Sequence, residues 1–387
     1  MFKPTARIVL ALAVAAAALA TVGAGSPSAS DRASYIVVLK DSVANPAAVA
    51  QEHAARFGGS VTHVYSHALK GYSLTLPSAA AARIAADPRV TSVEPDGVMT
   101  ADTTQTGATW GIDRIDQRSL PLSGTYTYTA TGSGVTAYII DTGIRFTHTQ
   151  FGGRAVKGVD EVTPGGSASD CNGHGTHVSG TVGGSTYGVA KAVRLVAVRV
   201  LNCSGSGSTS GVIAGIDWVT GNHLAGQSAV ANMSLGGGAS SSLDTAVNNS
   251  INDGVSYAIA AGNGDVFGNA QNACNFSPAR VAAAMTISAT DRTDTKASWA
   301  NYGSCVDWFA PGVSITSAWY SSDTATNTIS GTSMATPHTT GAAALFLGDN
   351  PGSSAQQVRD GLAALTTKGA VKQAKTTNAD LLYVGGL

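Results

Sequence analysis

From Trp110 to the C-terminus, short runs rich in β-branched residues alternate with longer stretches of helical period. Residues 135–140, 193–200, 230–235 and 255–260 read as strands, with 285–288 as a further short one. The stretches 210–220 and 242–253 read as helices. Continuous apolar strands separated by helices imply a parallel sheet covered on both faces. Ligands of such a sheet bind beyond the carboxyl ends of its strands. The segment 34–100 reads differently, as a small α+β unit. It has strands at 35–39, 71–76 and 90–95 and helices at 46–57 and 78–86, the second capped by Ser78. Residues 99–109 have no hydrophobic period and read as an exposed linker.

The N-terminus changes the picture. Lys3 and Arg7 precede an unbroken apolar run of 13 residues, 8–20. That is too short for a membrane span and suits a secretory signal peptide. Small residues at 22–24 and at 28–29 both offer cleavage points. Four cysteines, Cys171, Cys203, Cys274 and Cys305, form no C-x-x-C pair. In a secreted chain they read as two disulfides, with three connectivities open. Charged residues make up 12% of the 387, and the net charge is −1. No general attraction to nucleic acid or anionic membrane follows.

The chemistry converges on three stretches. Gly331-Thr332-Ser333-Met334-Ala335-Thr336-Pro337-His338 runs into an apolar segment of small residues, which puts a serine at the N-terminus of a buried helix. Pro337 suits a first helical turn. Asp141 ends a strand, and His174 opens a Gly/Thr/Val/Ser helix in Asn172-Gly173-His174-Gly175-Thr176-His177. A serine hydroxyl needs a neighbouring base, a histidine supplies one near neutral pH, and a buried carboxylate fixes the ring's tautomer. Asn263, in the loop Ala260-Ala261-Gly262-Asn263-Gly264, offers an amide for an oxyanion, with the Ser333 N–H as a second donor.

Rival readings are weaker. His174 and His177 lack the glutamate and i,i+4 spacing of a helical zinc motif. The glycine-rich stretch 205–210 has no lysine at P-loop spacing. His338 reads as structural, and His53, His63 and His67 as ordinary surface residues. A secreted esterase would show G-x-S-x-G and the order Ser, Asp, His. A binding protein on a dead scaffold would lack one of the four candidate groups.

Together, Asp141-Thr142-Gly143, His174-Gly175-Thr176-His177 and the 331–338 motif resemble the three signatures of the subtilisin family of serine proteases. The likeness is to the proteinase K branch and its aqualysin-type enzymes, and spans about residues 105–387. The resemblance implies a doubly wound parallel α/β sheet preceded by a ferredoxin-like inhibitory propeptide. It divides the chain into a signal peptide at 1–29, a propeptide at 30–102 and a peptidase domain at 103–387. It implies Ser333 as nucleophile, His174 as base and acid, Asp141 as orienting carboxylate and Asn263 in the oxyanion hole. Ser234, Leu235 and Gly236 would form one peptide-binding edge, and Gly205, Ser206 and Gly207 the opposite one. Ala260, Ala261 and Gly262 would line a pocket for an apolar or aromatic side chain. It pairs Cys171 with Cys203 and Cys274 with Cys305. It places structural calcium on Asp307 and the carbonyls of Ala282 and Ala284, with no cofactor for catalysis. The expected product is a secreted, monomeric endopeptidase. Its partners are protein substrates and its own propeptide, without nucleic acid or, after signal removal, membrane.

Overall fold

The computed structural model describes residues 32–97 and 103–387. The expected signal peptide and the expected boundary between residues 102 and 103 lie in or against the segments outside it. The chain divides into two compact units, 1–99 and 100–387.

The first unit runs β1 (Arg32–Leu39), α1 (Pro46–Phe57), β2 (Ser60–Tyr65), β3 (Gly71–Pro77), α2 (Ser78–Ala85) and β4 (Val90–Pro95). Its antiparallel sheet has the order β2-β3-β1-β4, the split βαβ arrangement. Val37, Tyr72, Leu74, Leu76 and Ile84 form its core. Helix α1 starts where the Asn45 side chain accepts the Ala48 N–H. Ser78 is the first helical residue of α2, and Pro77 holds the cap position. β2 escaped the sequence reading because Thr62 and His63 dilute its apolar content and its pairing slips between Val61 and His63. His53 is buried, not superficial: Nδ1 meets the Tyr72 hydroxyl and Nε2 meets Asp87 at 3.0 Å.

In the second unit, Thr103–Thr106 is a strand, β5, not a linker. It pairs with β6 (Thr125–Tyr128) on either side of α3 (Trp110–Ile115). Its alternation of small polar residues carries no apolar signal. Seven parallel strands then build the main sheet: β7 (Thr136–Asp141), β8 (Ala155–Asp160), β9 (Arg194–Arg199), β10 (Ala229–Met233), β12 (Ser256–Ala260), β14 (Met285–Thr290) and β15 (Trp308–Pro311). Their order is β15-β14-β12-β10-β7-β9-β8. From β7 the chain first winds toward β9 and β8, then returns to add β10 on β7's other side. The reversal opens a crevice at the carboxyl ends of β7 and β10.

Alternate residues feed two cores. Ala137 and Ile139 of β7 join one with Leu195, Val230 and Ile287, against α4 (His174–Gly183) and α7 (Thr332–Asp349). Tyr138 and Ile140 join the other, against α5 (Thr209–Asn222) and α6 (Ser241–Asn252). Helix α7 is buried on nearly every side and packs on β10, β12, β14 and β15. Small residues allow this: a Cβ at Gly341 would lie 2.5 Å from Val189 Cβ. Pro337 falls in the second turn of α7, not the first. The short pair β11 (Gly237–Gly238) with β13 (Phe276–Ser277), the hairpin of β16 (Ile315–Ala318) and β17 (Thr326–Ile329), and α8 (Ala355–Leu365) complete the unit. Cys171 is bonded to Cys203 and Cys274 to Cys305. Among the described residues, no helix is long and apolar enough to cross a membrane.

Candidate active site

Asp141 is the last residue of β7 and fully buried. Its carboxylate faces His174, the first residue of α4, with Nδ1 at 2.8 Å and 2.9 Å from the two oxygens. One oxygen also accepts the Thr142 N–H at 2.7 Å, which fixes the carboxylate plane. The His174 side chain keeps 25% of its surface exposed, so the other ring nitrogen is available to the cleft. Burial pulls the imidazole down; the charge and hydrogen bond of Asp141 outweigh it and hold His174 above its ordinary value, with a smaller push from Asp170.

Asp170 explains why α4 starts here. Its carboxylate accepts the N–H groups of Asn172, Gly173 and Thr176, each at 2.9 Å, and the hydroxyls of Thr142 and Thr176. An acidic group among the free N–H groups of a helix start is favourable. One side chain thereby ties the residue after Asp141 to the turn carrying His174. Gly175 lets the two elements touch, because a Cβ there would collide with the Gly143 carbonyl.

Ser333 sits in the first turn of α7, and its hydroxyl donates to the Ser234 carbonyl at 3.1 Å. Asn263 follows the end of β12. Its Oδ1 accepts from both the N–H and the hydroxyl of Thr332, at 2.8 Å and 2.9 Å. The carboxamide oxygen is thus committed, and Nδ2 is the group left to face the cavity. Thr332 is fully buried and also accepts the Gly262 N–H at 3.1 Å.

Two adjoining cavities surround these groups. One of about 520 Å³ is lined by His174, by Gly205, Ser206 and Gly207 on one side, and by Ser234, Leu235 and Gly236 on the other. One of about 340 Å³ is lined by Ala260, Ala261, Gly262, Asn263, Phe276 and Ser333, among others, without a charged side chain. Every residue expected to bind substrate therefore lines one of two neighbouring cavities.

Asp307 differs. Oδ1 accepts from Arg359, Nη2 at 2.5 Å and Nε at 3.2 Å, and Oδ2 accepts the Thr286 N–H at 2.7 Å. Burial pushes the carboxyl above its ordinary range, and the Thr286 N–H and the guanidinium only partly offset that. Calcium requires six to eight oxygen ligands. Here both carboxylate oxygens are engaged by N–H donors and a cation already stands beside them. Calcium on Asp307 with the carbonyls of Ala282 and Ala284 would have to displace Arg359 from Oδ1. Nothing in the sequence around Arg359 marks it as the partner of a carboxylate 52 residues earlier. Thr332 and Asp170 were missed too. Both lie inside or beside the motifs, and their orienting role is visible only in the hydrogen bonds.

His177 and His338 are buried, and burial pushes both down to about 4. His177 Nε2 meets the Ile315 carbonyl and His338 Nδ1 that of Met334, so each is a neutral packing group.

The sequence matches the Subtilase family over residues 132–382 and Peptidase inhibitor I9 over residues 34–102. It is 59% identical over 325 residues to an extracellular serine proteinase of Thermus sp. (strain Rt41A), covering 84% of this chain and 78% of the relative. It is 51% identical over 329 residues to alkaline serine exoprotease A of Vibrio alginolyticus, covering 84% of this chain and 60% of that one. The crystal structure of a cold adapted subtilisin-like serine proteinase matches with a TM-score of 0.69 and 53% identity, over 72% of this chain and 99% of that chain.

Proposed function

This chain belongs to the subtilase family and is a serine proteinase carrying an I9 propeptide, and on that premise we propose how its residues divide the work. Ser333 is the nucleophile, His174 the base and then the acid, and Asp141 the carboxylate that orients and stabilises the imidazolium. The observation that carries this reading is the Asp141–His174 pair, at 2.8 Å and 2.9 Å, set at the crevice where the winding of the sheet reverses.

The Ser333 hydroxyl turns from the Ser234 carbonyl to His174 Nε2 and gives up its proton as Oγ attacks the scissile carbonyl carbon. Negative charge collects on the carbonyl oxygen. Asn263 Nδ2 and the Ser333 N–H, at the start of α7, stabilise it. The C–N bond breaks as His174 returns the proton to the leaving amine. Water, deprotonated by His174, then hydrolyses the acyl-enzyme. The family's reaction needs no catalytic cofactor.

Gly205–Gly207 and Ser234–Gly236 bind the substrate backbone as an added strand between two edges. Uncharged walls of Ala260, Ala261, Gly262 and Phe276 favour an apolar or aromatic side chain before the cut bond. The enzyme works outside the cell as a monomeric endopeptidase. It frees itself from the preceding unit by cutting near residues 101–103. The propeptide spans 30–102 and the peptidase 103–387. The I9 match and the extracellular relative support this order.

The test is hydrolysis of an unfolded protein, with peptide mapping after a serine-directed covalent inhibitor. Wild type should cut and carry the label on the peptide containing Ser333. Label elsewhere, or full activity in Ser333→Ala, would overturn the assignment.

A further inference from the structure

Pro337 sits four residues after Ser333 in α7. The residue at that place ordinarily donates its N–H to the carbonyl of Ser333. Proline has no N–H, so the helix does not satisfy the nucleophile's own carbonyl. Ser234 does so from the end of β10: its hydroxyl donates to the Ser333 carbonyl at 2.8 Å. Ser333 donates its hydroxyl to the Ser234 carbonyl at 3.1 Å. The two serines are tied reciprocally.

A hydroxyl has one proton and two lone pairs, and it rotates to suit its neighbours. Something must hold the Ser234 proton on Ser333. Asn232, in β10 and two residues before Ser234, donates Nδ2 to Ser234 Oγ at 2.9 Å. With that lone pair engaged, the proton is left for Ser333. Asn232 Oδ1 accepts the Thr340 hydroxyl at 2.9 Å, which fixes the amide's own orientation. Asn232 and Thr340 are fully buried. Asparagine is a poor strand former, and a buried amide gains nothing over an apolar side chain in packing. Its place in a central strand points to a task other than packing.

We propose that Asn232 is a positioning residue for the nucleophile, fixing the backbone of Ser333 through the hydroxyl of Ser234. The proposal rests on Ser333 being the nucleophile. Holding the Ser333 carbonyl fixes ψ of that residue, and with it the direction in which Oγ leaves the backbone. Small errors in the placement of reacting groups are felt in rate rather than in affinity.

Asn232→Leu, Ser234→Ala and Ser234→Thr test it, with Tm followed alongside. The readouts are kcat and KM on a small peptide substrate and the rate of labelling by a serine-directed inhibitor. Asn232→Leu and Ser234→Ala should each lower kcat and the labelling rate about tenfold, the scale of one hydrogen bond felt at the transition state, with KM little changed. Ser234→Thr, which keeps the hydroxyl, should retain most of the rate. Wild-type kcat in folded Asn232→Leu, or a loss confined to KM or Tm, would overturn the proposal. So would a slow Asn232→Leu beside a fast Ser234→Ala. If Asn232→Leu does not fold, the Ser234 pair decides alone. Wild type labels at Ser333 in all these outcomes; failure of that label would instead remove the nucleophile assignment.

Discussion

Asn263 is held by Thr332 with its oxygen committed, and it lines the smaller cavity beside Ser333. A donor placed for an oxyanion acts on the transition state more than on the bound substrate. Asn263→Ala should lower kcat by ~10²–10³ with little change in KM, read from steady-state kinetics on a peptide substrate. His174 must be neutral to accept a proton. Asp141 raises its pKa, so activity should be lost as pH falls through a midpoint above ~6.5. Asp141→Asn removes the raising charge, so the acid limb of kcat/KM should move down, with the plateau reduced by ~10⁴. An unmoved limb would assign it to another group. Arg359 is a third residue-level case. Removing it leaves a mostly buried carboxylate unpaired, which should destabilise the fold by ~1–3 kcal/mol for this partly exposed pair. In denaturant titrations, Asp307→Asn with Arg359→Ala should lose little more than either change alone. Additive losses would mean that the two act separately.

Among the elements, those read from sequence were those whose chemistry lies in their own residues. The strands ending at Asp141 and near Asn263 are continuous apolar runs, and the helix at His174 follows a glycine turn. The strands β8, with Lys157 and Gly158 in its middle, and β15, only four residues long, gave no such signal. β5 is polar throughout and exists because β6 lies beside it. The residues proposed as the triad, Asn263 and the two proposed substrate edges all lie in stretches that the sequence marks. Thr332, Asn232 and Arg359 were not legible, because each depends on a partner far along the chain, and Asp170 was not, because only the fold brings Thr142 to it. Pro337 lies one turn deeper in α7 than a first-turn proline, since helix starts are not marked sharply in a stretch of small residues.

Two of these elements also carry a pH dependence. His177 in α4 and His338 in α7 are buried neutral, at about 4 against an ordinary 6.5. Unfolded chains bind those protons more readily, so stability rises with pH between about 4 and 6.5 and is lost as pH falls through that window. Denaturant titrations at pH 7 and pH 5 should show this loss, and His338→Gln should show less of it. An unchanged slope in the variant would remove His338 from the effect.

At the scale of the whole molecule, an inhibitor unit precedes a peptidase, and something must part them. The main sheet joins strands far apart in sequence, such as β10 with β7, which makes its folding slow and non-local. A unit that folds first and is then removed suits such a topology. On the proposed assignment, Ser333 carries out that removal as well as all later hydrolysis. The most direct test is the mass and N-terminal sequence of the Ser333→Ala protein, made in a host lacking other secreted proteases. It should accumulate uncut, beginning near residues 25–31, while wild type yields a chain beginning near residues 102–104. Efficient cutting of Ser333→Ala at the same bond would contradict the account.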